Sequence, residues 1–305
     1  MLRIEQMEHD DRPVIAAYRE LVPRDELRDD VEAIFSFVPG APAAGSRVAR
    51  QVLFRTGDSF CSPRFAEGSA SIVFELGMTC AADGAWRESD RVGGFAIGPM
   101  KEVGPALPAQ CPLMVGAYLK PGRGAAFTGA MAAELRDHVV SLDDLWRSSA
   151  SVAVQLGELD ECERIARFES ELLRRVSRRF HSSVRVNELA ALIDRQRGHV
   201  SVQRLSDEAG VSRQHLTRVF REVVGLSPKL YCRLARFHAG LVYAGCGSAI
   251  DWADVAQRLG YADQSHMIAE FKQFSSLTPG QLASRSWFHP FIERAKARRR
   301  RLASG

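Results

Sequence analysis

The feature that most restricts this chain is a pattern written twice. Its first copy runs from Ser201 to Pro228. Val202, Leu205 and Ala209 share one side of a short predicted helix that Ser201 is placed to cap. Gly210 supplies the positive-φ residue at which the chain reverses. A second predicted helix follows, capped by Ser212, with Leu216, Val219, Phe220 and Val223 turned inward. Its outer side then carries Arg213, Gln214, Thr217, Arg218 and Arg221, all donors or cations. Fifty residues on, Val255, Leu259 and Gly260 repeat Leu205, Ala209 and Gly210. After one extra residue in the turn, Met267, Phe271, Leu277 and Pro279 repeat Leu216, Phe220, Leu226 and Pro228. A supersecondary unit repeated at a fixed interval implies two copies of one element in a single polypeptide.

Ser227-Pro228 opens a helix between the copies, a capping residue followed by proline at the first position. Its stripe of Tyr231, Leu234, Phe237 and Leu241 ends near Gly245 and Gly247 and faces both units. Such a rigid connection fixes their spacing. An outer face of cations and amide donors suits a major groove, where donors meet purine edges and cations meet phosphates. An ordinary helical hairpin with a solvated basic face is the alternative, and the repetition argues against it.

On these residues, the stretch from about 187 to 288 resembles the DNA-binding domain of AraC/XylS-type transcription regulators. The resemblance is carried by Leu205 to Ala209, Gly210-Val-Ser212, His215-Leu216, Arg218-Val-Phe220, Gly225-Leu-Ser-Pro228, Arg236-Phe237, Val255-Ala256, Gly260-Tyr261, Asp263-Gln-Ser-His266, Phe271 and Thr278-Pro279. It implies that the first recognition helix reads bases through Gln214, Thr217 and Arg218, with Arg213 and His215 nearer the sugar-phosphate backbone. The second would present Gln264, Ser265 and His266. Two departures stand out: Ala269 replaces a usual arginine, and Ser276 replaces the usual glycine before the final Thr-Pro. The second unit also carries Asp251, Asp254, Asp263 and Glu270 against Arg258 and Lys272, so the first head is expected to dominate affinity.

The net charge of +4 conceals a division. From Glu171 onward 23 Lys/Arg face 11 Asp/Glu, about +12, which leaves the preceding residues about −8. A basic half joined to an acidic half is what a nucleic-acid module attached to something else looks like. In the acidic half, Glu32 to Val38, Val48 to Phe54, Ala70 to Leu76, Gly93 to Ile97 and Met114 to Lys120 read as short strands. Turn signals separate them at Pro39-Gly40, Thr56-Gly57, Ala82-Asp83-Gly84 and Pro121-Gly122. The expected fold is α+β: a β-rich barrel or sandwich followed by an all-α double helix-turn-helix. Phe95 to Pro99, Val115 to Gly124, Phe127-Thr-Gly, Ala133 to Val140 and Leu142 to Trp146 resemble the amino-terminal region of one subgroup of the same regulators, which implies a cupin-like regulatory domain. The expected divisions are 1–145 for that domain, 146–185 for a helical linker, 186–288 for the DNA-binding domain and 289–305 for a basic tail.

No catalytic role is expected. Cupin metal chemistry needs several histidines on one ion, and this region has only His9 and His138 (read as part of a helical stretch). It holds no nucleophile elbow, phosphate-cradling loop or HExxH. Six scattered cysteines without paired spacing fit reduced thiols in a cytoplasm. Cys61, Cys80 and Cys111 raise the alternative of a thiol that senses or accepts groups from electrophiles or alkylating agents, which requires nearby cations such as Arg55, Arg64 or Lys101. Phe35, Phe37, Phe54, Phe74, Trp86 and Phe95 are either core or the lining of a small-molecule cavity. No apolar run reaches the ~20 residues of a membrane span, and the amino end lacks a signal-peptide plan. From Val152 to Phe180 an apolar stripe at helical spacing packs within the chain or forms a two-helix dimer seam. Arg174, Arg175, Arg178 and Arg179 close that stripe, and a helix from Glu188 to Arg197 closed by Gly198 is expected to buttress the first head. The expected partners are double-stranded DNA, a small-molecule effector, a second copy of the chain and, for an activator, RNA polymerase; no cofactor and no membrane are expected.

Overall fold

The computed structural model describes residues 14–39, 48–55, 63–80, 86–106, 111–177, 185–244 and 250–284. His9, Cys61, Cys246, the arginines 178 and 179, Phe180, Gly245, Gly247, most of the turn signals and the basic tail lie outside them.

The first half is built on strands β1 (Val14–Leu21), β2 (Val31–Pro39), β3 (Val48–Arg55), β4 (Pro63–Arg64), β5 (Ser71–Cys80), β6 (Trp86–Ile97), β7 (Gly104–Ala106), β8 (Cys111–Leu119) and β9 (Val139–Ser141). Seven form one antiparallel sheet in the order β3-β1-β2-β8-β5-β6-β9, and β4 pairs with β7 separately. The five strands read from the sequence are β2, β3, β5, β6 and β8. The others were not legible. Strand β1 carries Arg19-Glu20 just before its last residue, which breaks the apolar run a strand reading needs, yet both are buried. His138 lies not in a helix but in the turn before β9, where its Nδ1 is 2.7 Å from the Arg136 carbonyl.

Helices α1 (Gly124–Thr128), α2 (Ala132–Leu135), α3 (Ser149–Glu158) and α4 (Glu161–Arg175) complete this half. Alternation along the strands gives the sheet two different faces. Ala17, Ile34, Val38, Ile72, Phe74, Val115 and Ala117 form one core with Val152, Leu156, Ile165, Phe168 and Leu172 of α3 and α4. The rings of Trp146 and Phe168 each lie 6.0 Å from that of Phe74. The apolar stripe of 152–172 is therefore used within one chain, on two helices broken before Asp160, which caps α4. Arg19 also faces this side and pairs with Glu161, which accepts a bond from Ser36 at 2.8 Å. The other face gathers Tyr18, Phe35, Phe37 and Val73, with Tyr118 and Trp86 against them. There the Tyr18 hydroxyl donates to Glu20 at 2.8 Å.

The second half is all helical: α5 (Val186–Arg195), α6 (Val202–Glu208), α7 (Arg213–Val224), α8 (Pro228–Ala244), α9 (Trp252–Arg258), α10 (Gln264–Ser275) and α11 (Pro279–Ser284). Helix α5 starts two residues earlier and ends two earlier than its expected span, with Gly198 in the left-handed region at φ 77. A single core runs through all seven, from Leu189 and Leu205 through Phe220, Phe237 and Phe271 to Leu282.

Candidate nucleic-acid interface

Both copies of the repeat fold as helix-turn-helix units, and the same chemistry starts each helix. Ser201 accepts a bond from the Arg204 amide, Ser212 from His215, Asp251 from Ala253 and Asp254, and Asp263 from His266. A cap of this kind stabilises a helix by about 1 kcal/mol. Gly210 and Gly260 make the reversals at φ 64 and 67. Gly225 ends α7 at φ 86, and its repeat partner Ser276 ends α10 in the same left-handed region at φ 60. The unusual serine thus keeps the backbone of the glycine, at a steric cost to the second copy.

In α7 the inward residues Leu216, Val219 and Phe220 are buried, which leaves the opposite face open. Arg213, Gln214, Thr217 and Arg218 line one open groove of about 710 Å³ together with Arg221, Glu222, Val202 of α6 and Ala133 of α2. Arg218 donates to Glu222 at 2.9 Å and to Nδ1 of His215 at 3.4 Å. Both partners are exposed, so this pair contributes about 0–1 kcal/mol and holds the guanidinium only loosely. His215 stands beside the groove rather than in it.

Gln264, Ser265 and His266 are exposed at the start of α10, and none of them borders that groove. The His266 ring leans back, 5.4 Å edge-on to Tyr261, with Nε2 3.7 Å from the Glu270 carboxylate. The acids of this copy are largely engaged within it. Asp251 and Asp263 are helix caps, Asp254 pairs with Arg258 at 2.7 Å, and the buried Glu270 pairs with Arg233 of α8 at 2.5 Å. Arg236 of α8 donates to the Gly260 carbonyl and lies 5.0 Å over the Tyr261 ring. The connecting helix is thereby locked to the second copy by two arginines whose role periodicity alone did not expose.

The first half also reaches this region. Arg136 donates to the Gly225 carbonyl at 3.4 Å, so α2 sits at the carboxyl end of α7. Sequence reasoning missed Ala133 and Arg136 because nothing in their spacing marks a contact so distant along the chain.

Of the cysteines, Cys162 is exposed and Cys232 buried, with burial pushing its thiol up to about 11. Cys80 and Cys111 are direct register partners on β5 and β8. Among the described residues there is no cluster of His, Cys, Asp and Glu that could hold a metal ion, and no helix long and apolar enough to cross a membrane.

Residues 205–285 match the family described as helix-turn-helix domain. No curated protein matches the sequence. Among solved structures, ToxT from Vibrio cholerae O395 is similar at 10% identity and a TM-score of 0.40, over 73% of this chain and 91% of that one. Unsaturated fatty acid bound ToxT from Vibrio cholerae strain SCE256 is similar at 9% identity and a TM-score of 0.39, over 90% and 95%.

Proposed function

Because the chain carries an AraC-type helix-turn-helix domain over residues 205–285, we propose that it is a sequence-specific DNA-binding transcription regulator. The observation that carries this reading is the open groove along α7, where five of the eight lining residues are Arg213, Gln214, Thr217, Arg218 and Arg221. Gln214, Thr217 and Arg218 read base edges, while Arg213 and His215 grip the backbone. Gln264, Ser265 and His266 make the second, weaker set of contacts. With most of its acids tied up in caps and ion pairs, the second head's weakness rests on Ala269, which has neither charge nor donor. The first domain regulates: an effector acts by binding two arrangements of the domains with different affinity. The aromatic face around Tyr18, Phe35 and Phe37, with Glu20 beside it, is where such a ligand would meet the sheet.

Arg218→Ala is expected to cost about 1–3 kcal/mol on a cognate duplex and to relax preference at one base position. Fluorescence anisotropy on the cognate duplex and on random DNA measures it. Equal loss on both would reduce Arg218 to a phosphate contact.

A second reading, a regulator that responds to electrophiles through a thiol, draws on the backbone register that pairs Cys80 with Cys111. Under this reading, an alkylating agent adds one group at Cys80 or Cys111 in intact-mass spectra and changes DNA affinity. Unlabelled cysteines at both positions would discard it.

A further inference from the structure

Phe65 belongs to the first half of the chain, next to the short strand β4, yet it lies in the core of the second. It is fully buried, and its ring meets Phe237 of α8 edge-on at 6.0 Å. The next residue is held on both backbone groups. The Ala66 amide donates to the Phe274 carbonyl of α10 at 2.9 Å, and His238 Nε2 of α8 donates to the Ala66 carbonyl at 3.0 Å. Two residues further on, Gly68 lies against Tyr231, where a Cβ would come 2.8 Å from ring carbon Cδ2. Tyr231 in turn packs 5.6 Å from Phe220 of the first head. Residues 65–68 therefore touch α8 along its length and reach α10 beyond it. Of these two helices, α8 connects the two heads and α10 belongs to the second.

From this we propose that Phe65–Gly68 is a positioning element for DNA recognition: a peg from the β-rich domain that fixes the spacing of the two heads. The proposal rests on the DNA-binding reading above. Two linked modules gain affinity from each other only while their separation matches that of their sites. A peg wedged against α8 and bonded to α10 narrows the separations the pair can adopt. It also gives the first domain a direct hold on DNA affinity without touching DNA.

The test uses the full chain and a duplex that the wild-type protein itself enriches from a random-sequence pool. A second duplex carries about five extra base pairs, half a helical turn, between its two protected segments. Wild type is expected to lose on the order of 100-fold in affinity on the spaced duplex. Phe65→Ala should lose less than about tenfold on spacing while binding the parent duplex more weakly. Gly68→Ala, which pushes the peg off Tyr231 and leaves Phe65 intact, should do the same. Phe65→Leu, which refills the site, should restore the wild-type ratio. A merely structural role would lower both affinities together and leave the ratio unchanged. Retention of the full spacing penalty by both Phe65→Ala and Gly68→Ala would overturn the proposal, with DNA binding untouched. Failure of the wild type to enrich any duplex would sink the DNA-binding reading and this one with it.

Discussion

Phe271→Ala should remove about 3–5 kcal/mol from the unfolding free energy, the usual cost of deleting a buried phenylalanine with its cavity. The ring is fully buried and stands 5.0 Å from Phe237 at 77°. Its tip reaches so close to α8 that a Cβ on Gly240 would come 2.6 Å from ring carbon Cζ. Arg233 and Arg236 tie α8 to the second copy, which opposes collapse of that helix into the space. Urea titration followed by far-UV dichroism measures the loss, with the midpoint falling and the slope unchanged. A loss under about 1 kcal/mol would mean that the second head does not share the α8 core. The consequence for binding follows from the same contact. Under the DNA-binding reading proposed above, loss of the Phe271 seat for α10 takes the fixed aim from Gln264 and Ser265, and affinity for a two-site duplex should fall towards that of one head.

The repeat was legible because a buried face imposes a period, and Leu216, Phe220, Met267 and Phe271 all lie where that period put them. Capping was legible for the same local reason at Ser201 and Ser212, whereas Asp263, counted from the sequence only as an acid of the second unit, also turns out to be a cap. What escaped was long-range or polar. Strand β1 was hidden by Arg19-Glu20, whose burial depends on Glu161 and Tyr18 elsewhere in the fold. Glu270 counted only as one more acid of the second unit, since its i,i+4 neighbours give no sign of Arg233 arriving from another helix. The aromatic set, read as core or as the lining of one cavity, divides between the two sides of the sheet, with Phe74 against α4 and Phe35 and Phe37 opposite. The open groove was foreshadowed by Arg213, Gln214, Thr217 and Arg218, whereas Ala133 on its rim was not. Hydrophobic period reports which side of an element is covered; it carries no address for what covers it.

Glu171→Gln is the second large effect, and its size should depend on pH. The Glu171 carboxylate is fully buried near the end of α4, where Arg174, Arg175 and Arg167 reach it at 2.6, 2.5 and 3.2 Å. Burial alone would raise its pKa, but the hydrogen bonds from Arg174, Arg175 and Arg167 outweigh that and hold it at about 2. Relative to an ordinary glutamate, this amounts to no more than about 3 kcal/mol, reduced where solvent screens the mostly exposed Arg174. The unfolded chain takes up the proton first, so the contribution is fully present above about pH 4.5 and is lost as pH falls towards 2. Stability curves of wild type and Glu171→Gln should accordingly lie about 2–3 kcal/mol apart at pH 7 and converge below pH 4.5. Among the arginines, Arg175→Ala should cost more than Arg174→Ala. Arg175 is only 15% exposed, lies 4.3 Å over the Trp146 ring and also donates to Ser148, whereas Arg174 is 62% exposed. A gap that stays constant down to pH 3 would show that shape and neutral hydrogen bonding, rather than the carboxylate charge, hold the last turn of α4 against the sheet.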